Sequence, residues 1–375
     1  MIRFLLFFVV FLWANPLEML NKYRTLAGLN ILFLNNSLIC ASKMHIDYLK
    51  KNNSFSHYES ILKFPFSRAL SCGYESRFVI ENLSKGEIDY KESIKDLFSA
   101  IYHRLGFLDF NINEIGFYNY KNIYVYEMGN SFINKLCSEK NRILSGVAGV
   151  CKEYDKLIPL EIFNFQMKHN PKVVVWPYDG MKNTPAVFYD EVPDPMPDYG
   201  VCGYPISISF NPYYFKNIKL VSFNLFLKNK KVSAKIIDYK NDINHLLKKT
   251  QFVLFPLKRL KYGKTYKVKA QFLIDGKLYN FSWSFQVEKQ KNLLKVEGVK
   301  ASFFIKPNIT YFLYFKPLNK YDRILKVNYK YSPNLTFYKI GYKDANTLYF
   351  SIKGNSGKIV INANNRSVNL IVKEK

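Results

Sequence analysis

Two histidines and two glutamates, His57, His103, Glu81 and Glu114, stand where a polar side chain would face a cleft or a core. His57 follows Phe55-Ser56 just after a helical stretch, and Glu81-Asn82 follow the apolar pair Val79-Ile80. His103-Arg104 come straight after a second helical stretch, and Glu114-Ile115-Gly116 opens a run of strand character. Two neutral imidazoles, here His57 and His103, can bind a divalent metal such as zinc at ~2.0–2.1 Å and leave open positions for water or substrate. A nearby carboxylate can orient a ligand histidine or take a proton from bound water. The same residues can instead form a buried hydrogen-bonded network that only fixes the loops around a cleft. Both readings stay open on the residues alone; a binding role rather than turnover is the expectation, with a metal-dependent hydrolase of peptide or cell-wall substrates and an inert spacer in an adhesin-like structural protein as the alternatives.

No other constellation competes. The chain contains no G-x-S-x-G, H-E-x-x-H, Walker or Rossmann fingerprint. His169 and His245 stand alone among polar neighbours and are expected to face solvent. The five cysteines have no C-x-x-C spacing, which excludes a zinc knuckle. Cys137 and Cys151 close a short loop and are the expected disulfide, with Cys202 as the unpaired thiol.

Helices and then strands must position these residues. From 17 to 51 apolar positions recur at spacings of three or four, and Asn52-Asn53 ends the stretch. A second helix is expected over 91–102, and strands over 115–128 with a turn near Asn119–Asn122. Residues 131–172 read as a connector. Beyond them the pattern alternates, and Asp275-Gly276 between two alternating runs predicts a hairpin. Leu260, Gly263 and Tyr266 have the spacing of a tyrosine corner, in which a phenol ties down a sandwich crossover. No sequence repeat is evident between the two β-rich segments.

The net charge of +26 is unevenly placed. Residues 17–130 carry 13 basic and 12 acidic residues, whereas 131–375 carry 41 and 17. A basic field of that size attracts anionic lipid headgroups, acidic surface polysaccharide or nucleic acid. A lysine-rich codon bias is the competing explanation. Nucleic acid is not expected, because no RNP, zinc-finger or KH signature is present and the N-terminus reads as an export signal. Arg3 precedes a ten-residue apolar run, Phe4 to Trp13, with Ala14 as a small residue for cleavage. That run is well short of the ~20 residues that span a bilayer. No transmembrane segment is expected in the mature chain, and a periplasmic or secreted, envelope-associated location follows.

The order of motifs over 17–130 resembles bacterial domains of the CAP superfamily (cysteine-rich secretory, antigen five and pathogenesis-related proteins). Asn21, Arg24, Gly28 and Leu29 match the opening N-x-x-R-x-x-x-G-L. His45 lies in the following helix, then come Phe55-Ser56-His57, Arg68 and Gly73-Tyr74. Ile80-Glu81-Asn82 stands for the family's G-E-N, Tyr102-His103-Arg104 for G-H-R, and Glu114-x-Gly116 for E-x-G. The resemblance implies a three-layer α-β-α sandwich whose cleft holds His57 and His103 with Glu81 between them. Its ligand would be a small lipid-like or envelope molecule, with a divalent metal an open question. Many relatives add a second carboxylate from the helix before the second histidine. Here 97–101 has no acid, so Glu114 or Glu59 would have to substitute. Segments from Trp176 to Pro205 are similar to bacterial chains in which an Ig-like domain follows a CAP domain. The expected class is therefore α+β. A signal peptide (1–14) precedes the CAP domain (17–130), the connector (131–172), an Ig-like β-sandwich (173–290) and a second, small β-rich domain (293–375).

Overall fold

The computed structural model describes residues 15–140 and 145–373, so the expected leader over 1–14 lies outside the described residues. The helical stretch read from 17 to 51 is two helices. α1 (Pro16–Leu26) ends before Gly28, whose φ of 82° turns the chain into the short strand β1 (Phe33–Leu34). Asn35 then starts α2 (Asn36–Asn52), its Oδ1 accepting from the Leu38 N–H at 3.1 Å. Asn53 closes α2 in the left-handed conformation. α3 (Pro65–Ser71) and β2 (Val79–Lys85) follow.

Asp89 caps α4 (Tyr90–Ser99), accepting from the Glu92 N–H at 2.9 Å. The second helix expected over 91–102 stops at Ala100, whose ψ of 122° breaks the path before α5 (Ile101–Phe107) begins. His103 and Arg104 thus lie inside a helix rather than after one. The cause is Arg104, fully buried, which donates from Nε to Phe98 O at 2.6 Å and from Nη2 to Ser99 O at 3.4 Å. A side chain thereby satisfies the last carbonyls of α4 without a further helical turn.

β3 (Glu114–Tyr120) and β4 (Ile123–Gly129) form a hairpin turned at Lys121, and the sheet order is β1-β3-β4-β2. β1 is parallel to β3 and the other pairs are antiparallel. Alternation along β2 sends Glu81 and Asn82 to opposite faces. Glu81 meets Arg68 on α3, and Asn82 donates to His103 O on α5 at 2.8 Å. This is the three-layer arrangement, with β2 at the sheet edge.

The segment expected to be a connector carries α6 (Ser131–Ser138) and α7 (Leu160–Lys168) and belongs to the same compact unit as the preceding domain. Cys137 on α6 is bonded to Cys151, and Cys40 on α2 to Cys72 after α3. Cys202 is free and buried.

From Val173 onward the described chain is all β, and most of it forms the second unit, 175–209 and 217–375. Its first part comprises β5 (Val173–Trp176), β6 (Met181–Thr184), β7 (Ile206–Phe210), β8 (Ile218–Leu227), β9 (Lys230–Val232), β10 (Ala234–Asp238), β11 (Gln251–Pro256), β12 (Thr265–Ile274) and β13 (Lys277–Val287). They form sheets ordered β10-β11-β7-β5 and β6-β13-β12-β8-β9. β12 and β13 are the expected hairpin, with positive φ at both Asp275 and Gly276. The tyrosine corner is present as well, the Lys261 N–H donating to the Tyr266 hydroxyl at 2.9 Å.

The C-terminal part continues with β14 (Leu293–Val296), β15 (Lys300–Ile305), β16 (Thr310–Phe315), β17 (Val327–Tyr331), β18 (Thr336–Asp344), β19 (Thr347–Lys353), β20 (Gly357–Ala363) and β21 (Arg366–Val372). Its sheets are ordered β14-β16-β19-β18 and β15-β21-β20-β17 around a core that includes Leu313, Phe350, Ile361 and Leu370. Here the Lys306 N–H donates to the Tyr311 hydroxyl, again at 2.9 Å. Ile305, Asn308 and Tyr311 repeat the spacing of Leu260, Gly263 and Tyr266, and Asn308 (φ 59°) matches Gly263 (φ 67°) in backbone. Asn tolerates that conformation almost as glycine does, so one device serves both sandwiches.

Candidate functional site: a histidine pair above a buried carboxylate pair

The motifs of the first domain divide into those that hold the fold and those that build a cleft. Arg24 belongs to the first group. Buried completely, it donates to the carbonyls of Asn30 (2.8 Å), Phe107 (2.7 Å), Asp109 (3.2 Å) and Ile112 (3.3 Å). Asn21 brackets Leu32, donating to its O at 2.9 Å and accepting from its N–H at 2.7 Å. Gly116 lets α2 lie directly on β3, since a Cβ there would fall 2.1 Å from the backbone of Leu38 and Ile39. Glu114 joins this group. Its carboxylate accepts from the Tyr74 hydroxyl at 2.5 Å and from Asn35 Nδ2 at 2.9 Å, so it secures the start of α2.

His57, Glu81 and His103 come together at the edge strand β2. His57 sits on the loop between α2 and α3, its Nδ1 2.7 Å from Glu81 Oε1. Its ring centroid is 6.2 Å from that of His103, with planes inclined by 29°. His57 is 36% exposed in its side chain, whereas Glu81 beneath it is 1% exposed. Access to the site is therefore through the imidazoles.

Below them lies a charged cluster that the motif reading only partly foresaw. Arg68 Nη2 is 2.5 Å from Glu81 Oε2 and 3.2 Å from Glu127 Oε1, and all three side chains are essentially buried. Glu127 projects from β4 directly across from Glu81. Glu59 does not complement the histidine pair. It holds His45 instead, at 2.7 Å from Nδ1, while His45 Nε2 lies 3.0 Å from Ser56 O.

Burial and shared charge set the proton inventory. Desolvation lifts the Glu81 carboxyl to about 7, against the pull of Arg68. Desolvation and the neighbouring Glu81 charge push Glu127 well above the ordinary carboxyl range. Glu81 accepts both from Arg68 and from His57, so the proton of the carboxyl pair belongs on Glu127. Burial, helped by Arg68, lowers His45 to about 3 and keeps it neutral. Ser56 O can only accept, which assigns the proton of the neutral His45 ring to Nε2, and burial raises the Glu59 carboxyl beside Nδ1. Desolvation also lowers His57. With Nδ1–H donating to Glu81, the neutral His57 ring offers an unshared pair on Nε2.

Glu127 was missed in the sequence. The signal was there: an acid inside the run Tyr124-Val125-Tyr126-Glu127-Met128, every residue of which is buried. A carboxylate on an inward-facing strand needs a buried cation, and Arg68 is that partner.

Residues 17–126 match the sequence model of the family described as the cysteine-rich secretory protein family, CAP. Among solved structures, an extracellular protein of Bacillus anthracis containing an SCP domain aligns at 19% identity and a TM-score of 0.30, over 31% of this chain and 39% of that one. An outer surface protein of Borrelia burgdorferi aligns at 19% identity and a TM-score of 0.29, over 30% of this chain and 87% of that one. The β-rich part is similar to fibronectin(III)-like modules of Clostridium thermocellum CbhA, at 12% identity and a TM-score of 0.18, over 54% of this chain and 94% of the modules. No curated protein matches the chain significantly. Among the described residues no helix is long and apolar enough to cross a membrane.

Proposed function

We infer that the CAP domain is a ligand-binding module of an exported, envelope-associated protein, periplasmic or secreted, and that its ligand enters against His57 and His103. One observation carries this reading: two imidazoles have ring centroids 6.2 Å apart, and one of them, His57, is open to solvent while standing on a carboxylate that is closed to it. Such a pair can donate and accept hydrogen bonds to the polar head of a small lipid-like or envelope molecule.

The pair also suits a divalent metal such as zinc, held by His57 Nε2 and His103. Glu81 would then orient His57 from behind, the usual place for a carboxylate supporting a metal-bound imidazole. Among the described residues no group of three or more histidine, cysteine, aspartate or glutamate side chains is arranged to hold an ion. A bound metal would therefore take its remaining ligands from solvent or from the ligand itself. The basic β-rich segment, 34 bases against 13 acids over 173–375, would hold the protein against an anionic envelope.

The test is zinc titration of the full mature chain by calorimetry. Binding should be abolished in His57→Ala and in His103→Ala, and retained in Glu114→Gln. Metal binding unaffected by either histidine change would remove the metal from this reading.

A further inference from the structure

Within the second unit a cleft of 890 Å³ opens between the two sandwiches. Its lining includes seven bases and one acid, Glu297, which is already paired with Lys316 at 2.9 Å. Lys258, Lys261, Lys264, Lys295 and Lys320 surround the remaining space. Leu257, Leu293, Pro317 and Leu318 supply apolar surface, and Tyr199, Tyr262 and Tyr314 supply aromatic rings.

The wall is built in advance. Arg259 lies 4.5 Å from the Tyr262 ring centroid and 4.4 Å from that of Tyr314, and its Nη2 is 2.6 Å from Asp344 Oδ2. Its buried Nε has no hydrogen-bond partner among the described residues. Lys320 Nζ lies 4.8 Å from the Tyr199 ring. An aromatic and aliphatic floor with a cationic rim calls for a ligand with apolar faces and anionic substituents.

We propose that this cleft binds a segment of acidic polysaccharide, the C–H faces of its sugars on the tyrosines and its carboxylate or sulfate groups among the lysines. A bilayer surface cannot enter a concave site. Arg259 covers only one face of Tyr262 and Tyr314, and nucleic acid is disfavoured by the absence of any RNP, zinc-finger or KH signature. Lysines act as mobile point charges rather than bidentate forks, which suits substituents at varied positions along a sugar chain. The inference rests on the basic segment as the attachment element, and it replaces diffuse attraction with a defined site.

The probe is a heparin hexasaccharide titrated into the full mature chain. Saturable one-to-one binding is expected. Lys261→Gln/Lys295→Gln should weaken it at least about tenfold, a loss of ~1.4 kcal/mol. Lys230→Gln/Lys231→Gln, on exposed β9 outside the cleft, should change it less than about twofold. Equal weakening by both pairs would overturn the cleft while leaving diffuse attachment standing, and no binding at all would remove both. Cellohexaose or a single-stranded oligonucleotide binding as tightly as heparin would overturn the acidic-sugar assignment.

Discussion

Glu81 on β2 and Glu127 on β4 are direct cross-strand partners, and one guanidinium, that of Arg68, lies within 3.2 Å of both. Two carboxylates with one buried cation hold one negative charge more easily than two, which is why Glu127 keeps a proton. A carboxyl raised in the folded state binds a proton that the unfolded chain releases above ~4.5. Its contribution is full below that pH and is lost as pH rises through the folded value.

Glu127→Gln mimics the protonated carboxyl and should remove that loss. The melting temperature of the wild-type domain should fall more between pH 5 and pH 8 than that of the variant. Burial of His45 and His57 gives the opposite slope below the ordinary imidazole pKa; His45 is common to both proteins, while His57, which the Glu127 charge raises, is lowered further in the variant and adds to the difference in the same direction. Thermal melts across that range decide it, and identical slopes would place the proton elsewhere.

Arg68→Met should be far worse than Glu127→Gln. It removes the cation and leaves Glu81 and Glu127 facing each other in a dry site, and the donor to His57 O goes with it. Breaking a buried pair on one side costs about 3–5 kcal/mol. Urea unfolding of the full chain should show that loss in the CAP transition, with the β-rich transition unmoved.

The chemistry of the cleft was legible because its polar residues stand in short motifs, and histidine is rare enough to mark a place. The supporting charges were less legible. Arg68 matched a motif position without a role, and Glu127 lay in an aromatic run that reads simply as strand. The break at Ala100 was hidden because Leu97, Phe98 and Ile101 keep helical spacing across it, while the cause, Arg104, acts through its side chain. The likeness of the two sandwiches was hidden too, since Gly263 and Asn308 share a backbone conformation rather than an identity.

The two tyrosine corners give a paired prediction. Tyr266→Phe and Tyr311→Phe each remove one hydroxyl and leave a backbone N–H, of Lys261 or Lys306, without its acceptor. Each should cost about 0.5–1.5 kcal/mol. Denaturation followed by hydrogen exchange should localise the first loss to 173–290 and the second to 293–375. Loss of protection in both regions from either change would show that the sandwiches unfold as one.

The Cys40–Cys72 bridge closes a sequence separation of 32 residues that contains the His57 loop. Replacing both cysteines by alanine should cost about 3–4 kcal/mol by loop entropy. Because the loop carries His57, zinc or ligand affinity should fall more than the fold does. A variant with lowered stability and unchanged affinity would show that Arg68 and Glu81 hold His57 without the bridge.

The last prediction concerns Asp344, at the end of β18, which accepts from Arg259 and from the Tyr262 hydroxyl of the preceding sandwich. The Arg259 and Asp344 side chains are 5% and 2% exposed, so Asp344→Ala strands a desolvated guanidinium. That loss belongs in the range of about 3–5 kcal/mol. A second inter-sandwich pair, Arg323 with Asp190, is 35% and 46% exposed. Water and salt screen it, and Arg323→Gln should cost less than about 1 kcal/mol. Calorimetry of the full chain should therefore show the C-terminal sandwich melting separately in Asp344→Ala, with the profile of Arg323→Gln close to wild type. Since Arg259 also fixes Tyr262 and Tyr314, the same Asp344→Ala protein should lose heparin affinity although no lysine has been touched. Retained affinity alongside a split transition would mean that the aromatic wall stands without the buried pair.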